Sequence, residues 1–178
     1  MPRRRRILLA GLLVVVLGVG GAVLLTGSRP LRASGPGEVS GDVASAAFTI
    51  GNVTVRQVRY RDRTEFRYTF RVRNTGPVPL WLDRPVTGGH TLLRVRGLSP
   101  TAVVGPYGTR RLTVRLLMTD CERLSARAAS VLSAIQLRVR ILGLVPRTVT
   151  VDLPERLRVG SAREALCPRV TSTSRPRG

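Results

Sequence analysis

The feature that most restricts the fold is a period of two. Between Glu65 and Arg73, Phe66, Tyr68, Phe70 and Val72 fall on one side of an extended chain, and Arg67, Thr69, Arg71 and Arg73 on the other. Such alternation predicts a strand with one face buried and one in water. It recurs from Arg111 to Met118, where Leu112, Val114, Leu116 and Met118 share a face. It recurs again from Ala134 to Leu142, with Ile135, Leu137, Val139 and Ile141 opposite Gln136, Arg138 and Arg140. Val149, Val151 and Leu153 form a last strand, joined to the one before through Gly143-Leu144-Val145-Pro146, which predicts a hairpin. Weaker strands are expected at Phe48 to Ile50, Leu80 to Leu82 and Thr91 to Arg96. Asn52 to Arg61 carries a phase slip, because Val53 and Val55 have the opposite parity to Val58 and Tyr60. Either a bulge near Arg56-Gln57 or two separate short strands accounts for it.

Seven or eight short strands with inward alternation predict an all-β, antiparallel sandwich. Only two stretches compete as helix. Glu122 to Ser130 reads as a short helix or an irregular crossover, and Ser161 to Cys167 opens like a capping box. No repeat of 20–50 residues occurs.

Ahead of this body stands a segment of another kind. Arg3, Arg4, Arg5 and Arg6 precede an uncharged apolar run from Ile7 to Leu25. Nineteen helical residues span about 28 Å, close to the ~30 Å hydrocarbon core of a bilayer. The expected organisation is a cytoplasmic Arg-rich stub (1–6), a transmembrane helix or signal anchor (7–25), a Gly/Ser/Pro-rich flexible linker (26–45), a β-sandwich (46–168) and a disordered tail (169–178). The four leading Arg set the N-terminus in the cytoplasm and the sandwich outside, the chain being single-pass. The alternative is a secreted protein released by signal-peptide cleavage. Arg5-Arg6-Ile7-Leu8-Leu9 looks like the core of a twin-arginine signal but lacks the preceding Ser or Thr. The Ala44-Ser45-Ala46 site lies about twenty residues beyond Leu25, far for ordinary cleavage.

Composition narrows function. Thirty basic residues face ten acidic ones, a net charge of +20, and every basic residue is Arg. A GC-rich genome would skew Lys to Arg without selection for Arg chemistry, so Arg count alone proves little. One His and two Cys exclude a zinc finger and a multi-His metal site. No Gly-x-Ser-x-Gly, phosphate-binding Gly loop or paired carboxylates occur, and His90 reads as a loop residue, so no enzyme and no cofactor is expected. Nucleic acid is not the expected partner either, since aromatics for stacking are few. Outside the cell, Cys121 and Cys167 are expected to form a disulfide, worth about 4 kcal/mol in the chain-entropy picture.

What remains is a basic face. Arg67, Arg71 and Arg73, Arg111 and Arg115, and Arg138 and Arg140 alternate along three strands. If those strands share a sheet, their outer faces merge into one positive plate suited to anionic lipid or cell-wall polymers. The protein partner is not specified by any of this.

Phe66 to Leu82, an alternating strand meeting Asn74-Thr75-Gly76-Pro77 and a second short strand, resembles bacterial immunoglobulin-like domains. Val104-Gly105-Pro106-Tyr107-Gly108-Thr109-Arg110 looks like the Pro-Gly turn before a late strand of such domains. The chain as a whole resembles small membrane-anchored proteins of unassigned function from high-GC Gram-positive bacteria. The resemblance implies an immunoglobulin-like sandwich and a noncatalytic binding or scaffolding role. The Cys121 and Cys167 spacing departs from the inter-sheet pairing of antibody domains.

Overall fold

The computed structural model describes residues 29–86, 92–119 and 130–159, together with Gly18 and Gly21. The described residues from 29 to 159 form an all-β body of ten strands: β1 (Leu31–Ser40), β2 (Ser45–Ile50), β3 (Val53–Val58), β4 (Glu65–Asn74), β5 (Leu80–Pro85), β6 (Leu93–Ser99), β7 (Val103–Val104), β8 (Thr109–Met118), β9 (Ser130–Ile141) and β10 (Val145–Val159). They make a four-stranded sheet, ordered β1-β4-β8-β6, and a six-stranded sheet, ordered β2-β3-β10-β9-β5-β7. The apolar faces meet in one core that includes Phe66, Tyr68 and Phe70 of β4, Leu112 and Leu116 of β8, and Leu137 and Val139 of β9. The three strands with the cleanest alternation therefore supply much of the interior, as a one-face-wet sheet requires.

Turn chemistry behaves as the residues dictate. Asn74, fully buried at the end of β4, donates from Nδ2 to Val78 O (2.7 Å) and Gly105 O (3.0 Å) and accepts the Gly76 N–H (2.9 Å) on Oδ1. That is an Asx turn which also ties in the loop before β8. Ile141 pairs with Val145, so β9 and β10 form the expected hairpin, with Gly143 at φ +74°.

Several expectations are corrected. The sandwich is not wholly antiparallel: Arg156–Val159 of β10 runs parallel to Val55–Val58 of β3. Residues 26–45 are not a flexible linker throughout, because Leu31–Ser40 is β1, paired to β4 from Leu31↔Asn74 to Ser40↔Arg67. The Gly35-Pro36-Gly37 run is a bulge, seen as a register shift between Ser34 and Glu38, and it breaks the alternation that would have revealed the strand. The phase slip at 52–61 is neither a bulge nor two strands. β3 is unbroken against β2, and its side chains simply change allegiance: Arg56 and Val58 face inward, Val53 and Val55 outward. Asp62 lies in the turn that carries the chain from β3 in one sheet to β4 in the other. β10 also continues past Leu153 to Val159, through an irregularity between Asp152 and Leu157.

The body has two ends. Leu31, Asn74, Ile141 and Val145 lie at one, and Val58, Met118, Ser130 and Val159 at the other. Apart from Gly18 and Gly21, the apolar run 7–25 falls outside the described residues, as do Arg3 to Arg6, His90, Cys121, Cys167 and the 169–178 tail. Among the described residues no helix is long and apolar enough to cross a membrane.

Candidate polyanion-binding face

Strands β4 and β8 lie side by side in the four-stranded sheet, and their register decides the site. Arg67 stands directly opposite Arg115, and Arg71 directly opposite Arg111. Opposed residues of an antiparallel pair have Cβ atoms about 5 Å apart. Between the two Arg rows lies Thr69 opposite Thr113, their hydroxyls hydrogen-bonded at 2.9 Å. Arg73 follows one step further along β4. The inward partners of all these residues (Phe66, Tyr68, Phe70, Val72, Leu112, Val114 and Leu116) are buried, so the Arg side chains are held outward by the core beneath them.

The flanking strands add two positions that sequence reasoning missed. On β1, Arg32 sits opposite Arg73. On β6, Arg94 sits opposite Leu117. Arg32 is hidden in the apparent linker, whose Leu31-Arg32-Ala33-Ser34 alternation is too short to read; Arg94 lies in the weak strand expected from Thr91 to Arg96, where Arg alternates over only two positions. The face also carries Glu38, which accepts from Arg111 Nη2 at 2.8 Å, and Glu65, 3.7 Å from Arg115. Seven Arg against two Glu leave a local charge of +5. Both ion pairs are solvent-exposed and so contribute little, roughly 0–1 kcal/mol. Arg115 lies across Gly97, where a Cβ would come within 2.6 Å of its Nη2; the absent side chain lets the guanidinium spread over the neighbouring strand. Arg32, Arg67, Arg71, Arg73 and Arg94 make no ion pair among the described residues.

The single seven-residue plate expected from the sequence is corrected. Arg138 and Arg140 are on β9 in the six-stranded sheet, on the opposite outer face of the body. Arg140 pairs there with Asp83 at 2.9 Å, and Arg138 stands opposite Arg84. Alternation tells which side of a strand is polar, but not which sheet the strand joins. A flat anionic surface meets one of these faces at a time.

One Arg has a different environment. Arg56 points into the end of the core and forms a bidentate pair with Glu155, Nε to Oε2 at 2.5 Å and Nη2 to Oε1 at 3.2 Å. The β1 bulge covers it: Gly37 N–H donates to Glu155 Oε1 (3.1 Å), and Arg56 Nη2 donates to Gly37 O (2.7 Å). Glu155 is buried, and its hydrogen bond raises the Arg56 pKa above its ordinary value. Tyr68 lies beneath, its hydroxyl buried with no hydrogen-bond partner among the described residues. Burial, then the Glu155 charge, push its pKa well above the ordinary tyrosine value.

Among the described residues no three His, Cys, Asp or Glu side chains gather where they could hold a metal ion. No protein-family model matches the chain, and no curated protein does.

Proposed function

We propose that this chain is a noncatalytic, membrane-anchored extracytoplasmic module whose four-stranded sheet binds phosphate-rich polyanions, lipid headgroups or wall polymers, through its outer face. The observation that carries this is the register of β4 on β8: Arg67 against Arg115 and Arg71 against Arg111. Like charges directly opposite destabilise a sheet, and a bound anion between them reverses the sign of that term. The planar guanidinium fork matches phosphate oxygens in pairs.

An immunoglobulin-like fold is supported by strand order. Such domains place their first, second, fifth and fourth strands on one sheet and their third, sixth and seventh on the other. The order β1-β4-β8-β6 facing β10-β9-β5 follows that scheme, with the β2–β3 hairpin and β7 as additions. With β1 starting at Leu31, five residues separate it from Leu25, at most about 17 Å of chain. The anchored body thus rests close to the bilayer.

The test is binding of the full chain, held in neutral-lipid nanodiscs, to anionic and neutral vesicles and to a soluble glycerol-phosphate polymer. Binding to the anionic probes should weaken steeply as salt rises. Neutralising Arg67, Arg71, Arg111 and Arg115 together to Gln should abolish it. Equal binding to neutral and anionic vesicles removes the proposal. Resistance of the chain to alkaline extraction from membranes checks the anchor separately.

A further inference from the structure

The two sheets have four edges, and three carry the protection that exposed edges need against pairing with other chains. β1 has Arg32, Pro36, Glu38 and a bulge; β6 has Arg94, Arg96 and an irregularity between Val95 and Gly97; β7 is two residues long. The fourth edge is β2, Ser-Ala-Ala-Phe-Thr-Ile, without a charge, a Pro or a register shift, and all six of its residues are exposed. Among the described residues it pairs only with β3. Ile50 and Val53 close a two-residue turn with Gly51 at φ +59°. The antiparallel ladder therefore turns the backbone groups of Ala46, Phe48 and Ile50 toward β3, and those of Ala47 and Thr49 toward the open side. The Arg59 N–H to Ala44 O bond (2.9 Å) has the same parity.

The outward face of this hairpin is apolar: Phe48 stands opposite Val55 and Ile50 opposite Val53, and Phe48 and Ile50 are 40% and 62% exposed. Residues 33–55 are also the longest stretch of the chain without Arg, in a molecule of net charge +20. We propose that β2 pairs antiparallel with β2 of a second copy about a twofold axis, joining the two six-stranded sheets edge to edge. The charge distribution selects the second copy as occupant. Two such chains repel wherever their Arg-bearing faces approach, and this edge is where identical molecules meet without setting Arg against Arg. Parity fixes the register further: only an even register keeps both apolar faces on one side, as when Phe48 lies opposite Phe48 of the second copy. Among the described residues each copy offers one unprotected edge, so the assembly closes at two.

Sedimentation equilibrium of the full chain in neutral detergent tests this, with hydrogen exchange as a second readout. The wild type should dimerise, and the Ala47 and Thr49 amides should gain protection as concentration rises. Ala47→Pro deletes an outward donor while leaving the β3 ladder intact, and Thr49→Arg restores edge charge with the backbone unaltered. Each should weaken the dimer at least about tenfold. Thr49→Arg carries the result if Ala47→Pro fails to fold. A wild type that stays monomeric, a dimer indifferent to Thr49→Arg, or an open-ended polymer overturns the proposal.

Discussion

Arg56 and Arg71 are the same side chain in two environments, fifteen positions apart in sequence. Arg56 is enclosed between β1, β3 and β10, its guanidinium spent on one carboxylate and one carbonyl. Arg71 stands in water opposite another Arg, with no acidic partner among the described residues. Removing two charges from water is costly unless geometry and hydrogen bonds are nearly complete, and around Arg56 they are. The enclosed Arg closes the domain, and the exposed one remains available to a ligand. Number of arginines is therefore a poor guide to binding here; what each already holds is a better one.

This contrast can be broken experimentally. Glu155→Ala would strand the Arg56 charge at the core's end. Because Arg56 keeps a little solvent contact, with a side chain 15% exposed, the loss should sit at the low end of the usual range, about 3 kcal/mol by denaturant unfolding. Gly37→Ala comes next. A Cβ there would lie 2.1 Å from the Tyr68 hydroxyl, so either the bulge or the ring must shift, at about 1–3 kcal/mol.

Tyr68 gives the enclosed region a pH signature. Its folded pKa is raised above the ordinary 10.0. The folded state holds the phenolic proton more tightly than the unfolded state does. The associated stability is present in full below pH 10 and is lost as pH climbs toward the folded pKa. Unfolding followed against pH should show that alkaline decline, and Tyr68→Phe should remove it. At neutral pH the same substitution should be neutral or slightly stabilising, since it deletes an unpartnered buried hydroxyl.

The exposed region should respond in the opposite sense. Arg71→Glu converts a like-charge pair into an attractive one with Arg111 and should raise stability by about 0.2–1 kcal/mol. Polyanion binding should fall in the same protein. Glu38→Gln, smallest of all, should cost under about 1 kcal/mol and strengthen anion binding by releasing Arg111. If Arg71→Glu lowers stability, the two environments do not differ as described.

The alternation of β4, β8 and β9 was legible because nothing interrupts it, as were the Asn74 turn and the β9–β10 hairpin. β1 was not, since its Gly-Pro-Gly bulge has the composition of a linker. Nor was the distal half of β10, where Pro154 masks the Glu155-Arg156-Leu157-Arg158-Val159 alternation. The enclosure of Arg56 was not legible, because its carboxylate lies 99 positions away. The candidate face was half legible. Outward Arg positions follow from parity, but partition between sheets is decided by tertiary pairing, which no local pattern encodes.

The parallel contact of β3 with β10 has a mechanical consequence. Among the described residues the first strand begins at Leu31 at one end and the last finishes at Val159 at the other, where β10 is clasped between β3 and β9. Tension applied between an anchor before Leu31 and an attachment after Val159 runs along the strands rather than across them. The ladder bonds then carry the load together, in shear, instead of parting one at a time like a zip.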